Sequence, residues 1–154
     1  MTPQHPTIRR ARREDVPQIL EIEREAFLEP WEEEVFLQTL EWCPRTSLVA
    51  DLDGVVAGFL VGCLESTGEA TFGHISNLAV RPGFRKRGIG SRLVLRAERQ
   101  FLLEGAGAVL LEVRTSNTPG QSFYRALQYQ DVYRIHAYYS NGEDAIVMMK
   151  ELRF

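Results

Sequence analysis

The sequence predicts one mixed α/β domain, and three observations predict it. Apolar runs of strand length alternate with amphipathic runs of helical spacing along the chain. A turn rich in glycine and cations, Arg81 to Gly88, joins the apolar run Ile75 to Val80 to an amphipathic segment beginning near Ile89. A second apolar run, Val109 to Val113, follows that segment and completes a β-loop-α-β unit. With 154 residues, 44% apolar and 25% charged, the chain can bury a core of its own, and no second domain is expected within 1–154.

Thr7 to Arg10 reads as a first strand. Glu14 to Phe27 reads as a helix, with Val16, Ile19, Leu20, Glu23, Ala26 and Phe27 at helical spacing and Pro17 in the first turn, where a missing N–H costs nothing. A shorter helix, Glu32 to about Leu40, ends before Pro44. Ser47 to Ala50 and Val55 to Leu64 form a predicted hairpin around Asp53-Gly54, a pair that accepts the positive φ of a tight turn. After the polar stretch Ser66 to Ala70 come a strand over 72–80, the glycine turn, a helix over 89–104 stopped by Gly105 and Gly107, and the strand Val109 to Val113. The helix puts Ile89, Leu93, Val94, Ala97 and Phe101 on one face and Arg92, Arg96 and Arg99 on another, so it should lie on a sheet with its arginines in water. The continuous run Val109-Leu110-Leu111 predicts a central strand covered on both faces. Thr115 to Pro119 supplies a cap and start for a helix carrying Phe123, Tyr124 and Leu127, and Tyr129 to Tyr139 and Ala145 to Leu152 read as two closing strands around Asn141-Gly142.

Composition excludes several function classes. No run of about 18 apolar residues and no charged-then-apolar leader is present, so no membrane partner is expected and the cytoplasm is the expected location. A net charge of −3 argues against bulk nucleic-acid affinity, although Arg9, Arg10, Arg12 and Arg13 make a local basic patch. Cys43 and Cys63 show no CxxC spacing and His5, His74 and His136 are scattered, so no metal site is expected and both cysteines are read as reduced packing residues.

The glycine turn carries the most chemistry. Arg81, Arg85, Lys86 and Arg87 are cationic, Gly88 and Gly90 let the backbone approach an anion closely, and the helix start adds unpaired N–H groups and partial positive charge. A phosphate fits there; a solvated basic turn is the alternative. The turn is neither a P-loop, for no Gly-Lys-Ser/Thr follows, nor a dinucleotide fingerprint, for Leu93 stands where the third glycine belongs. Glu112 is the one charged residue at the end of an apolar strand, placed either to accept a proton in a desolvated site or to pair with a neighbour such as Arg114.

Arg85-Lys86-Arg87-Gly88-Ile89-Gly90 resembles the Q/R-x-x-G-x-G/A motif of the GNAT superfamily. His74-Ile75-Ser76-Asn77-Leu78-Ala79-Val80 followed by Arg81-Pro82 is similar to a segment of protein N-terminal acetyltransferases. Leu111-Glu112-Val113-Arg114-x-Ser116-Asn117 with Phe123-Tyr124 resembles the corresponding run of RimI-type enzymes. Tyr138-Tyr139-Ser140-Asn141-Gly142-Glu143-Asp144-Ala145 resembles the ending shared by RimI and the N-alpha-acetyltransferases, and Phe27-x-x-Pro30-Trp31 is similar to the element near their acceptor site.

The resemblance implies a GNAT fold: a mixed, mostly antiparallel seven-stranded sheet with a central parallel pair that splays, flanked by about four helices. It implies acetyl-coenzyme A as cosubstrate, with no metal. The diphosphate would be held by Arg85, Lys86, Arg87, Gly88, Ile89, Gly90 and Ser91, and the pantetheine arm by backbone near Leu78, Ala79 and Val80, with Asn117 helping. It implies Glu112 as base, through water, and Tyr124 as the acid that protonates the thiolate. Phe27, Pro30, Trp31, Tyr138 and Tyr139 would meet the acceptor. The implied acceptor is a protein N-terminus, with a ribosomal protein as the leading case, and the protein is expected to be a monomer or a weak homodimer. Acetylation of lysine or a small-molecule amine, and a silent acyl-CoA-binding module, stand as alternatives. Two positions depart from the RimI pattern: Gln128 replaces a glycine and Gly120 an alanine. A non-glycine residue at positive φ costs roughly 1 kcal/mol, so the turn before Tyr129 is expected to be rebuilt, with consequences for Tyr124.

Overall fold

Asp53 and Gly54 take φ values of 51° and 89°, and the Asp51 carboxylate accepts the Gly54 N–H at 2.7 Å, so the chain reverses on itself within two residues. That turn joins β2 (Ser47–Leu52) to β3 (Val55–Ser66) in a computed structural model that describes residues 5–153. The remaining elements are β1 (Thr7–Arg10), α1 (Val16–Ala26), α2 (Glu33–Trp42), β4 (Thr71–Val80), α3 (Ile89–Leu103), β5 (Ala108–Arg114), α4 (Thr118–Ala126), β6 (Gln130–Ile135) and β7 (Ala145–Glu151). Seven strands form one sheet in the order β1-β2-β3-β4-β5-β7-β6, antiparallel except for the β4/β5 pair.

Each sheet face has its own core. On one face α3 buries Ile89, Leu93, Val94, Ala97 and Phe101 against Ile75, Val109, Leu111 and Met148, while Arg92, Arg96 and Arg99 stay exposed. On the other face α1 and α2 bring Val16, Ile19, Ile22 and Phe36 onto Val49, Phe59, Val61 and Ala79 of β2, β3 and β4. Hydrophobic burial of this kind is worth about 1.5–3 kcal/mol per large side chain, which explains why the amphipathic stripes were readable.

Four readings need correction. The helix expected from Glu14 begins at Val16, because residues Arg13–Asp15 form a 3-10 turn in which the Asp15 carboxylate accepts the Arg12 N–H at 2.7 Å and binds the Arg9 guanidinium. β5 is not covered on both faces: Val109, Leu111 and Val113 are buried beneath α3, whereas Leu110, Glu112 and Arg114 are half-exposed, because α1 and α2 stop over β4. The strand expected to reach Tyr139 ends at Ile135; Ala137 has a φ of 50° and gives its N–H to Asp144, so Tyr138 and Tyr139 lie in a loop. Cys43 and Cys63 are not reduced packing residues but a disulfide, with Cα atoms 5.3 Å apart. The bond ties the C-terminal end of α2 to β3. The juxtaposition follows from α2 running back across the sheet, which residue spacing does not reveal.

The turn after α4 is kept, not rebuilt. Gln128 takes the left-handed φ of 77° that glycine would have occupied. Tyr129 donates its N–H to the Tyr124 carbonyl and Gln128 to that of Arg125, both at 3.0 Å, the hydrogen-bond pair of a Schellman ending. Tyr124 therefore sits on an intact helix.

Candidate active site

β4 and β5 pair over three residues only: Gly73 with Val109, His74 with Leu110 and Ile75 with Leu111. Beyond these, β4 continues to Val80 bonded to β3, and β5 to Arg114 bonded to β7, so the parallel strands part at their carboxyl ends. The cause is legible in the register. Val61 opposes Asn77 while Gly62 opposes Ile75, leaving Ser76 as an extra residue, a bulge that bends β4 where the splay begins. The bulge also reverses the alternation of side chains. Ile75 faces α3, but Asn77 and Ala79 face α1 and α2, so His74 and Asn77 share a face despite their odd separation.

The opening is a cleft of about 520 Å³, lined among others by Glu23, Trp31, His74, Leu78, Glu112 and Tyr124. At its floor the His74 ring lies between two carboxylates: Nε2 is 2.8 Å from Glu112 Oε1, and Nδ1 is 2.8 Å from Glu65 Oε1. Hydrogen bonding to Glu112 raises the His74 pKa above its ordinary value against the opposing effect of burial, and the Glu65 charge adds to the rise. The Tyr138 hydroxyl reaches Glu112 at 3.4 Å. Arg114 is not the partner of Glu112; it pairs with Glu143 and Glu29, each at 3.1 Å.

Tyr124 lies on α4, 8% exposed and edge-on to Phe123 and Tyr129, and burial raises its pKa. A phenol so placed stays protonated at neutral pH and has a proton to give. Asn117 caps α4, its Oδ1 accepting the Gly120 N–H at 3.0 Å, and it lines the cleft as well.

On the acceptor side, Phe27, Trp31, Tyr138 and Tyr139 line the cleft, whereas Pro30 is an exposed residue of the α1–α2 loop. Trp31 also stacks on Phe36, 5.2 Å between centroids. The two loops that carry these aromatics are joined across the cleft mouth by Arg114, whose guanidinium lies 3.9 Å from the Tyr139 ring centre, and by a hydrogen bond from Ser140 to Glu29. Burial pushes the Tyr139 phenol up to about 12. Hydrogen bonds from Ser116, with Arg114 and Thr115, hold Glu143 down to about 2, so it stays a carboxylate and keeps Arg114 in place.

Residues 85–91 do not line this cleft; they stand at the other end of the β4 edge, beyond Val80. Gly88 has a φ of 74°, and Lys86, at 63°, is left-handed too, so the turn delivers the chain into α3 with the first N–H groups of the helix free of intrahelical partners. A Cβ on Gly90 would stand 3.2 Å from the Phe123 ring, so the second glycine lets α4 close on the start of α3. Ala79 buries its side chain against α1, which leaves only its backbone to face a ligand, while Leu78 lines the cleft.

Among the cleft residues to which the sequence reading gives no role are His74 and Glu23: His74 enters it as one of three scattered histidines and in a resembling segment, Glu23 as part of a helical stripe. Glu23 is 1% exposed, accepts both the Asn77 amide at 2.8 Å and the Trp31 N–H at 2.9 Å, and has its pKa raised by burial. The available signal was polarity in the wrong place: His74, Asn77 and Glu112 interrupt strands that are otherwise apolar.

A free strand edge that runs from an anion-ready helix start to a paired carboxylate and imidazole suits a long, phosphate-bearing donor whose reactive end is delivered to a proton acceptor. This is the layout of a group-transfer enzyme. Residues 16–129 match the acetyltransferase (GNAT) family. An N-alpha-acetyltransferase of Sulfurisphaera tokodaii is 35% identical, over 94% of this chain and 92% of its own. A Bacillus subtilis protein, whose name provisionally makes it a ribosomal protein bS18 alanine N-acetyltransferase, is 34% identical over 92% of each. Among solved structures, Naa20 of Chaetomium thermophilum in complex with a bisubstrate analogue superposes with a TM-score of 0.88 at 29% identity, covering 95% of this chain and 86% of that one. The chain belongs to the GNAT family and is an acetyl-CoA-dependent N-acetyltransferase.

Proposed function

We propose that this protein, as one domain over 1–154, moves the acetyl group of acetyl-coenzyme A onto the α-amino group of a protein N-terminus by direct attack, in the cytoplasm, with a ribosomal protein as the leading acceptor. The observation that carries this reading is the His74–Glu112 pair at the point where β4 and β5 part, in the same cleft as the phenol of Tyr124. The names of the relatives support the choice of acceptor.

The residues divide the work. The N–H groups of Ile89, Gly90 and Ser91 and the cations Arg85, Lys86 and Arg87 hold the diphosphate. The free β4 edge from Leu78 to Val80, Ala79 included, pairs with the amides of the pantetheine arm as a neighbouring strand would. Phe27, Pro30, Trp31, Tyr138 and Tyr139 receive the acceptor chain, Glu112 takes the proton of the amine, and Tyr124 gives one to the departing sulfur. An α-amino group with a pKa of about 7.7–8.0 is close to neutral at working pH, while a lysine at about 10.4 costs about 4 kcal/mol to deprotonate, so a carboxylate base is matched to an N-terminus. Mass spectrometry of peptides bearing both amines, after incubation with acetyl-coenzyme A, tests the reading. Acetyl on the first residue is the expected product; acetyl on lysine alone, or on neither, contradicts it.

A further inference from the structure

Glu65 lies outside the cleft lining and is nonetheless bonded to His74, the partner of Glu112. It sits near the end of β3, two residues beyond Cys63, which opposes His74 in the β3/β4 register, so Glu65 and His74 are diagonal neighbours on one face. Its side chain is 49% exposed, and it is not among the residues that line the cleft. The groups that face His74 are Glu65 from β3, Glu112 from β5 and, through Glu112, the Tyr138 hydroxyl from the β6–β7 loop. Cys63 opposite is in the disulfide and does not titrate.

Both carboxylates lie 2.8 Å from a ring nitrogen. Only an imidazolium can donate to both, because a neutral ring has one N–H and would present a lone pair to one of the carboxylates. Resting on the reading given above, we propose that Glu65 is a positioning residue for acetyl transfer: from behind the cleft it keeps His74 a donor at both nitrogens, and so fixes the Glu112 carboxylate toward the incoming amine. One carboxylate alone would orient the ring but leave its protonation open. The second closes that choice.

The substitution Glu65→Gln separates the two effects. A glutamine N–H donates to a bare Nδ1, so the ring keeps its orientation and still donates from Nε2 to Glu112, while the neutral state is no longer penalised. Two readouts are taken: the His74 titration by NMR of the histidine ring, and kcat/KM against pH. In E65Q the His74 midpoint and the alkaline limb of the rate profile both move to lower pH, with KM for acetyl-coenzyme A unchanged and with Glu65→Asp falling between wild type and E65Q. An unmoved midpoint, or an unmoved limb in a variant whose wild-type parent transfers acetyl, overturns the role of Glu65 alone. Failure of the wild-type protein to acetylate any N-terminal amine overturns it together with the function on which it rests, and the NMR titration then shows whether the bond to Glu65 persists.

Discussion

Reducing the Cys43–Cys63 bond should destabilise the protein by about 3 kcal/mol. The bond closes a loop with a sequence separation of 20 between the end of α2 and β3. Loop-closure entropy then amounts to roughly 11 cal/mol/K in the unfolded chain, or about 3 kcal/mol at 25 °C. For a domain of this size each kcal/mol moves the melting temperature by about 2–4 °C, so the shift is about 6–12 °C. The assay is a pair of thermal melts, oxidised and reduced, with the double variant Cys43→Ser/Cys63→Ser as a control that a reductant leaves unmoved. The effect extends to function. α2 is anchored by one buried side chain, Phe36, which touches Trp31 at the cleft, so reduction should raise KM for the peptide and leave KM for acetyl-coenzyme A in place. Two free thiols in the native protein, or melts that coincide with and without reductant, would refute the reasoning.

Three further outcomes are expected. Tyr124→Phe removes the buried hydroxyl and keeps the ring against Phe123 and Tyr129, so kcat should fall by about 10²-fold or more while coenzyme affinity measured by calorimetry is kept; equal loss of both would deny Tyr124 its acid role. Gln128→Gly relieves a left-handed non-glycine residue, largely offset by the freedom glycine gains on unfolding, and should stabilise by at most about 0.5 kcal/mol in urea melts, whereas a clear loss of stability would mean that the Gln128 side chain contributes something unrecognised. Arg114→Gln breaks the ion pairs to Glu29 and Glu143 that join the two acceptor loops and should raise KM for the peptide with KM for acetyl-coenzyme A unchanged; an equal rise in both would place Arg114 on the cofactor side.

Local chemistry was legible in the sequence and register was not. The stripes of α1 and α3, the Asp53-Gly54 turn and the strand-loop-helix after Val80 were readable because each is decided by residues a few positions apart. The bulge at Ser76 depends on which residue of β3 lies opposite, and it puts His74 on the face of Asn77, while the β4/β5 register brings His74 beside Glu112. The disulfide and the Arg114 bridge are likewise products of topology: Arg114 meets Glu29 from 85 positions away. Gln128 shows the opposite error, a local rule applied too strictly, since hydrogen bonds to Tyr124 and Arg125 hold the turn at a cost the fold can absorb. The over-long closing strand failed for a similar reason: the alternating pattern continues past Ile135, but Ala137 and Asp144 turn the chain out of the sheet and over the cleft.

The claim beneath the mechanism is that the coenzyme lies along the free edge of β4 with its diphosphate at the start of α3. Amide hydrogen exchange with and without acetyl-coenzyme A tests it most directly. Slowed exchange at residues 78–80 and 86–91, with the far edge at β1 unchanged, is the predicted pattern; protection confined to other strands, or none at saturating ligand, would contradict it.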